Sequence, residues 1–269
     1  MDKINNSNMT NRKYISLIKE LALTDFKLKY QGSVLGYLWS LVKPLMLFLV
    51  LYVVFTRFLK IGGSIEYYPT YLLLGVVMWG FFTEITATSL DAIVCRGDLI
   101  RKIYFPRIVL VISRGITSFI TFILNLLVVL IFILIIGIPL HLKALLFPLV
   151  ILELFILSIG IALILSSLFV KFRDLAHIWE VVLQALFYAT PILYPLSLVP
   201  SKIAKFLMLN PVAQIIQDVR YLLITDQTST AYRVLGSKLF IIPYLIPFVV
   251  FVFGYHLFMK SASKFAEEI

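Results

Sequence analysis

The sequence predicts an all-α integral membrane protein, and three observations carry that reading. Hydrophobic residues make up 61% of the 269-residue chain and charged residues only 14%, against averages of about 45–50% and 25% in soluble domains. The apolar residues gather into six long stretches separated by short charged breaks. Lysine and arginine crowd into alternate breaks, as they do where charge orients helices across a bilayer. Lipid must solvate much of such an exterior, and in lipid only helices or closed barrels satisfy their own backbone.

The elements follow in chain order. Residues 1–34 form a cytoplasmic tail and an interfacial helix. The polar start MDKINNSNMTNRKY shows no cleavable signal peptide. In Tyr14–Gln31, Ile15, Ile18, Ala22 and Phe26 recur at helical spacing, while Ser16, Glu20, Thr24, Lys27 and Gln31 line another side. A helix of that pattern lies in the membrane surface. Residues 35–259 form the transmembrane domain, because a crossing takes about 20 apolar residues. The six spans are Leu35–Leu59, Tyr68–Leu90, Ile108–Ile136, Leu145–Val170, Ile178–Tyr194 and Leu239–Met259. The third and fourth exceed the need, which predicts tilt or a projecting end. Residues 260–269 form a second cytoplasmic tail.

Orientation follows from the basic residues. Both tails and the 91–107 and 171–177 loops hold most of them, including Arg96, Arg101, Lys102, Arg107, Lys171 and Arg173. The opposite connections offer Lys60, Lys143, Lys202, Lys205, Arg220 and Arg233. Both termini are therefore predicted to be cytoplasmic, as six spans require. Between the fifth and sixth spans, Pro195–Gly236 is too polar to cross. Pro200 and then Asn210-Pro211 punctuate two short helical patterns, the latter an N-cap followed by proline at the first helical position. Ile215, Ile216, Val219, Leu222 and Leu223 form a stripe opposite Gln214, Gln217 and Asp218. Two re-entrant or interfacial helices are expected here.

Little in the chain suits an enzyme. It has no GxxxxGK[ST], HExxH or GxSxG motif. Cys95 is the single cysteine, and His141, His177 and His256 are scattered, so no metal site is expected. The net charge of +10 lies mainly beside the spans, which favours helix orientation over nucleic-acid binding.

Ionisable residues inside spans are costly unless they line a cavity or pair. Lys43, before Pro44 in the first span, either snorkels to the interface beside Tyr37 and Trp39 or faces an anionic substrate at an inner mouth. Glu84, Arg114, Glu153 and Glu180 stand in later spans, where pairing between helices is the simplest role. In the connection CRGDLIRKIYFPR, Gly97 permits a turn, Asp98 caps a short helix Leu99–Tyr104, and Phe105-Pro106 closes it. Its Arg101 and Lys102 serve either as topology signals or as a grip for a soluble partner. The Lys171–Glu180 segment makes a second tight turn, with Arg173 and Asp174 a candidate ion pair.

Taken in order, these segments resemble the membrane subunit (permease) of polysaccharide-exporting ABC transporters of the ABC-2 type. Leu23–Leu45 is similar to the family's interfacial helix running into span one, with Asp25, Lys29, Tyr30, Ser33, Leu35, Gly36, Trp39 and Pro44 at characteristic positions. Leu168–Pro195 carries FRD followed by TPI-Y, and Leu209–Pro211 supplies the LNP of the extracellular re-entrant helices. The resemblance covers nearly the whole chain. It implies a homodimer with two ATP-binding cassette subunits, in the bacterial inner membrane, exporting a polyprenyl-pyrophosphate-linked glycan such as O-antigen, or teichoic acid. ATP and magnesium would belong to the partner, with no cofactor on this chain. Asp25, Lys27, Lys29, Gly97, Asp98, Arg101, Lys102, Arg173 and Asp174 are the residues expected to couple to that ATPase. Tyr37, Trp39, Lys43, Phe187, Tyr188 and Tyr194 are expected along the glycan pathway, with membrane-belt duty an equal reading of the aromatics. The competing functions are an ABC-2 exporter of lipids or drugs, and a membrane enzyme acting on polyprenyl-linked sugars through Glu84, Asp91 or Glu180.

Overall fold

A computed structural model describes residues 2–33, 35–60, 65–102 and 105–268. Every regular element among them is helical. In order these are α1 (Asp2–Tyr30), α2 (Trp39–Val53), α3 (Tyr68–Leu90), α4 (Gly97–Lys102), α5 (Ile108–Ile136), α6 (Phe147–Phe169), α7 (Leu175–Ala189), α8 (Ser201–Leu207), α9 (Pro211–Leu223), α10 (Ala231–Leu239), α11 (Ile241–Ala262) and α12 (Phe265–Glu268). With the short helices that extend them, five stretches are long and apolar enough to cross a membrane: Gly36–Phe58, Tyr68–Leu90, Ile108–Ile136, Leu142–Phe169 and Ile241–Ala262. The chain is a multi-pass membrane protein.

Helix α3 is the axis of the bundle. It is apolar on almost every face, with Pro69 in its first turn, and Leu72, Leu74, Met78 and Ile85 are fully buried. Helices α2, α5, α6, α7 and α9 pack around it. Helices α6 and α11 approach most closely, because a side chain at Gly160 would overlap the Phe251 backbone and one at Gly254 the Gly160 carbonyl. Small residues allow such backbone contact where no hydrophobic effect drives helices together in lipid.

Two elements differ from the sequence reading. The predicted fifth span, Ile178–Tyr194, is the fifteen-residue helix α7, which ends at Ala189. Thr190 is extended (ψ 136°), as steric conflict with the ring of Pro191 favours. At 1.5 Å per residue α7 alone is about 22 Å long, short of a bilayer core of about 30 Å. The Pro195–Gly236 segment contains three helices rather than two, and α9 is buried on all sides. Its polar face is turned inward, where Gln214, Gln217, Asp218 and Arg220 find partners in the protein.

Helix α1 is also longer than the Tyr14–Gln31 pattern. It packs along α5, and α12 returns to α4, with Lys171 paired to Glu268 at 3.4 Å. The C-terminal end of the described chain therefore sits beside α4 and the 171–174 turn.

Candidate functional site

Three adjoining cavities, of about 490, 370 and 580 Å³, share Glu84 of α3. The first lies among α1, α2, α3 and α5, walled by Lys29, Trp39, Lys43, Phe81, Phe122 and Asn125. The second continues toward α4 past Asp25, Cys95, Arg96 and Arg114. The third opens between α2, α3 and α7 past Trp79, Gln184, Phe187 and Tyr188. Together they make a continuous polar-aromatic crevice from the α4 end into the helices.

Its charges are arranged by the helices that meet there. Lys29, in the last turn of α1, bonds Glu84 at 2.7 Å. Lys43 lines two of the cavities and, among the described residues, forms no ion pair. Lys43 thus brings a cation to a wall that also holds Asn125 and the Trp39 indole. Cys95 is exposed, yet partial desolvation, and then a hydrogen bond to Asp91 (3.1 Å), push its thiol up. That keeps it protonated and a poor nucleophile.

At the α4 end of the crevice, Asp25 clamps α1 to the bundle. It is buried, bonded to Arg96, and paired with Arg114 at 3.5 Å. The hydroxyl of Thr117 in α5 donates to the Ala22 carbonyl at 3.1 Å. Asp25 and Ala22 thus tie α1 to α5 and to the loop leading into α4. Asp25→Ala is expected to lower unfolding free energy by about 1–3 kcal/mol. The cost stays modest because the two arginines are partly exposed and can rehydrate. An unchanged melting temperature in detergent would show that the clamp holds nothing.

At the far end a second lock joins α3, α7 and α9. Arg220 is fully buried and, among the described residues, has no carboxylate partner. Its guanidinium donates to the carbonyls of Tyr71 (3.0 and 3.1 Å), Pro191 (2.7 Å) and Ile192 (2.6 Å), and lies 3.5 Å from the Tyr71 ring centroid. Tyr68 donates to the Leu193 carbonyl at 3.0 Å. Asn210 caps α9 by accepting from the Val212 amide (3.0 Å) and reaches the Thr190 hydroxyl with its own amide (3.2 Å). Every turn of the TPIL segment is thus tied to α3 or α9.

The predicted site residues separate into groups. Trp39, Lys43, Phe187 and Tyr188 converge on the crevice. Tyr37 instead stacks on Phe26 of α1, with centroids 4.9 Å apart. Tyr194 lies past the α7 break and donates to the Tyr188 carbonyl at 3.2 Å. Lys27, Asp98, Arg101, Lys102, Arg173 and Asp174 are exposed, while Gly97 is buried. The short helix spans Gly97–Lys102, with Asp98 inside its first turn instead of capping it; Ile103 and Tyr104 lie outside the described residues. No ion pair joins Arg173 to Asp174; Arg173 lies over the Phe169 ring at 5.3 Å. Of the intramembrane charges, Glu84 and Arg114 do pair between helices, but with α1. Glu180 is exposed and unpaired among the described residues.

A family profile described as ABC-2 type transporter matches residues 16–224. The chain belongs to that family. The ABC-2 chain is 30% identical over 244 residues to an O-antigen export system permease protein RfbA of Klebsiella pneumoniae, covering 90% of this chain and 91% of that one. It is 33% identical over 204 residues to a protein of the same name from Myxococcus xanthus, covering 75% and 78%. The family and the five apolar helices describe a multi-pass protein of the bacterial inner membrane. Arg220 of this ABC-2 chain was grouped from sequence with the loop charges, and its role was missed. The available signal was a lone arginine inside an apolar helical stripe. The pairing of Asp25 with Arg96 and Arg114 had no sequence signal, since 71 residues separate Asp25 from Arg96.

Proposed function

We propose that this ABC-2 chain is the permease subunit of an ATP-driven exporter of polyprenyl-pyrophosphate-linked polysaccharide of the O-antigen kind. One observation carries the reading: the crevice that presents Lys43, Asn125 and Trp39 opens at the end where α1 and α4 carry exposed basic residues. Such a crevice offers cations to a pyrophosphate and aromatic faces to sugar rings. The relatives named as O-antigen export permeases favour this cargo over teichoic acid, lipid or drug. No step of covalent chemistry is needed.

In this reading the α1–α4 end faces the cytoplasm with both termini. Helix α7 and the chain that follows it complete a sixth crossing, with α8–α10 as re-entrant helices on the outer side. A second copy closes the pathway against α2 and α7; no residue of α7 is buried within one chain. Two ATP-binding cassette subunits, holding ATP and magnesium, grip α4 through Arg101 and Lys102. Their movement reaches α5 through the Asp25 clamp, and rocking the two halves opens the passage.

Co-purification with a P-loop ATPase, followed by ATPase assay of the complex, tests the partnership. Arg101→Glu is expected to reduce coupling of ATPase activity to export several-fold while leaving membrane insertion intact. Normal coupling would remove α4 from the mechanism. Failure to recover any ATPase with the wild-type chain would contradict the assignment itself.

A further inference from the structure

The end of the bundle away from α4 holds a small polar cleft, distinct from the crevice. It lies between the start of α3, the chain beyond the α7 break and the loop that follows α9, and has a volume of about 70 Å³. Space of that size holds about five to seven waters, comparable with the footprint of one sugar ring. Its walls include Glu66, Tyr71, Ser197, Gln217, Thr225 and Thr228. Glu66 and Ser197 are exposed and open it to solvent, whereas Tyr71, Gln217 and Thr228 are buried. About 20 Å of α3 separates Tyr71 from Glu84 of the crevice, at 1.5 Å per residue.

The walls are fixed by bonds of their own. Arg220 holds the carbonyls of Tyr71 and Ile192. Thr225 donates its hydroxyl to Glu66 Oε2 at 3.2 Å and accepts from the Gln227 amide at 3.4 Å. Arg233 donates to the Asp226 carbonyl and, at 3.1 Å, to that of Thr228. The Tyr71 hydroxyl donates to Gln217 Oε1 at 3.5 Å. Two buried groups of these walls are nevertheless unmet: Gln217 Nε2 and Thr228 Oγ1 have no hydrogen-bond partner among the described residues. Buried polar groups are nearly always satisfied, so unmet ones beside an open polar space point to a molecule that enters it.

The mixture of groups selects the class of that molecule. An anion would suit the Gln217 nitrogen but would meet the Glu66 carboxylate, and no lysine or arginine lines the cleft among the described residues. A metal cation would suit Glu66 but would face an amide nitrogen, since the Gln217 oxygen is turned to Tyr71. A hydroxyl group donates and accepts at once, so a polyol can donate to Glu66 while accepting from Gln217 and Thr228. We propose that the cleft binds a neutral sugar unit of the exported polysaccharide through its hydroxyls, an inference that rests on the export reading above. The crevice then meets the charged headgroup at one end of the chain, and the cleft meets uncharged sugar at the other. Recognition of the glycan is thereby separate from recognition of its lipid carrier.

Saturation-transfer NMR on the full chain, held with its ATPase partner in lipid nanodiscs, tests this. The probe is the oligosaccharide released by mild acid from the surface polysaccharide of the strain that carries the chain. Saturation of its ring protons is expected with the wild-type complex. Thr228→Val removes an unpaired hydroxyl at nearly constant volume and should weaken binding fivefold or more, as should Gln217→Leu. Should Gln217→Leu fail to fold, Thr228→Val decides. Equal saturation in wild type and Thr228→Val would overturn the proposal and leave only water in the cleft. Saturation lost in Lys43→Glu but kept in Thr228→Val would also overturn it, by placing the sugar in the crevice. Surface glycan measured in the same cells separates the two readings. Export without saturation refutes the cleft alone, whereas absence of export by the wild-type complex refutes the export reading and the cleft with it.

Discussion

Replacing Arg220 with methionine is expected to destabilise the chain by on the order of 3–5 kcal/mol, one of the two largest effects that the structure implies. Methionine preserves much of the side chain's volume but strands the Pro191 and Ile192 carbonyls, which Arg220 alone serves among the described side chains. Each buried acceptor left without a donor costs about 1–3 kcal/mol, and loss of the contact with the Tyr71 ring adds about 1 kcal/mol. Thr190–Leu193 would lose its attachment to α9, and the α7 break its fixed geometry. Gly75→Ala should act in the same direction, since a Cβ there would overlap the Arg220 Nη2. The double variant should then lose less than the sum, because both changes break one contact. Thermal unfolding in detergent, combined with surface expression, reads all three. Wild-type stability in Arg220→Met would mean that the buried guanidinium does not hold these segments together.

Lys43→Glu is expected to reduce export by tenfold or more without preventing insertion. Lys43 stands with Glu84 on the walls of two cavities. Reversing its charge places a second carboxylate where an anionic headgroup would enter. Like charges brought together at a recognition surface cost several kcal/mol, and about 1.4 kcal/mol already corresponds to tenfold in affinity. Lys43→Arg keeps the charge and should retain most of the transport. The snorkelling role makes a different prediction: both variants would export normally once inserted. Quantifying surface glycan in cells that express equal amounts of each variant separates the two.

Much of the architecture was legible in the residues because long apolar runs have few alternatives. Tyr68–Leu90 and Ile108–Ile136 coincide with α3 and α5 at both ends. Hydropathy failed where backbone chemistry overrides it. The run through Ile178–Tyr194 is largely apolar, yet Thr190-Pro191 ends the helix, and the tyrosine at 194 lies beyond the break. The polar residues of α9 looked like a solvent-facing side. They are buried because Glu153, Tyr244 and three backbone carbonyls receive them, partners that lie far away in sequence.

The candidate site was half visible. Trp39, Lys43, Phe187 and Tyr188 were chosen for residue type and position in a span, and they do share one crevice. Asp25 was expected to couple to the ATPase; the structure adds that it is buried, joining α1 to α5. Sequence spacing shows which face of a helix a residue occupies; it does not show which distant helix that face meets.

Vesicle transport of a labelled polyprenyl-pyrophosphate glycan decides the central question. With the ATPase partner present, ATP should drive the glycan across the bilayer, and the Lys43→Glu chain should remain at background. Movement of the glycan by this chain alone, or hydrolysis of ATP without the partner, would contradict a conduit driven from outside itself.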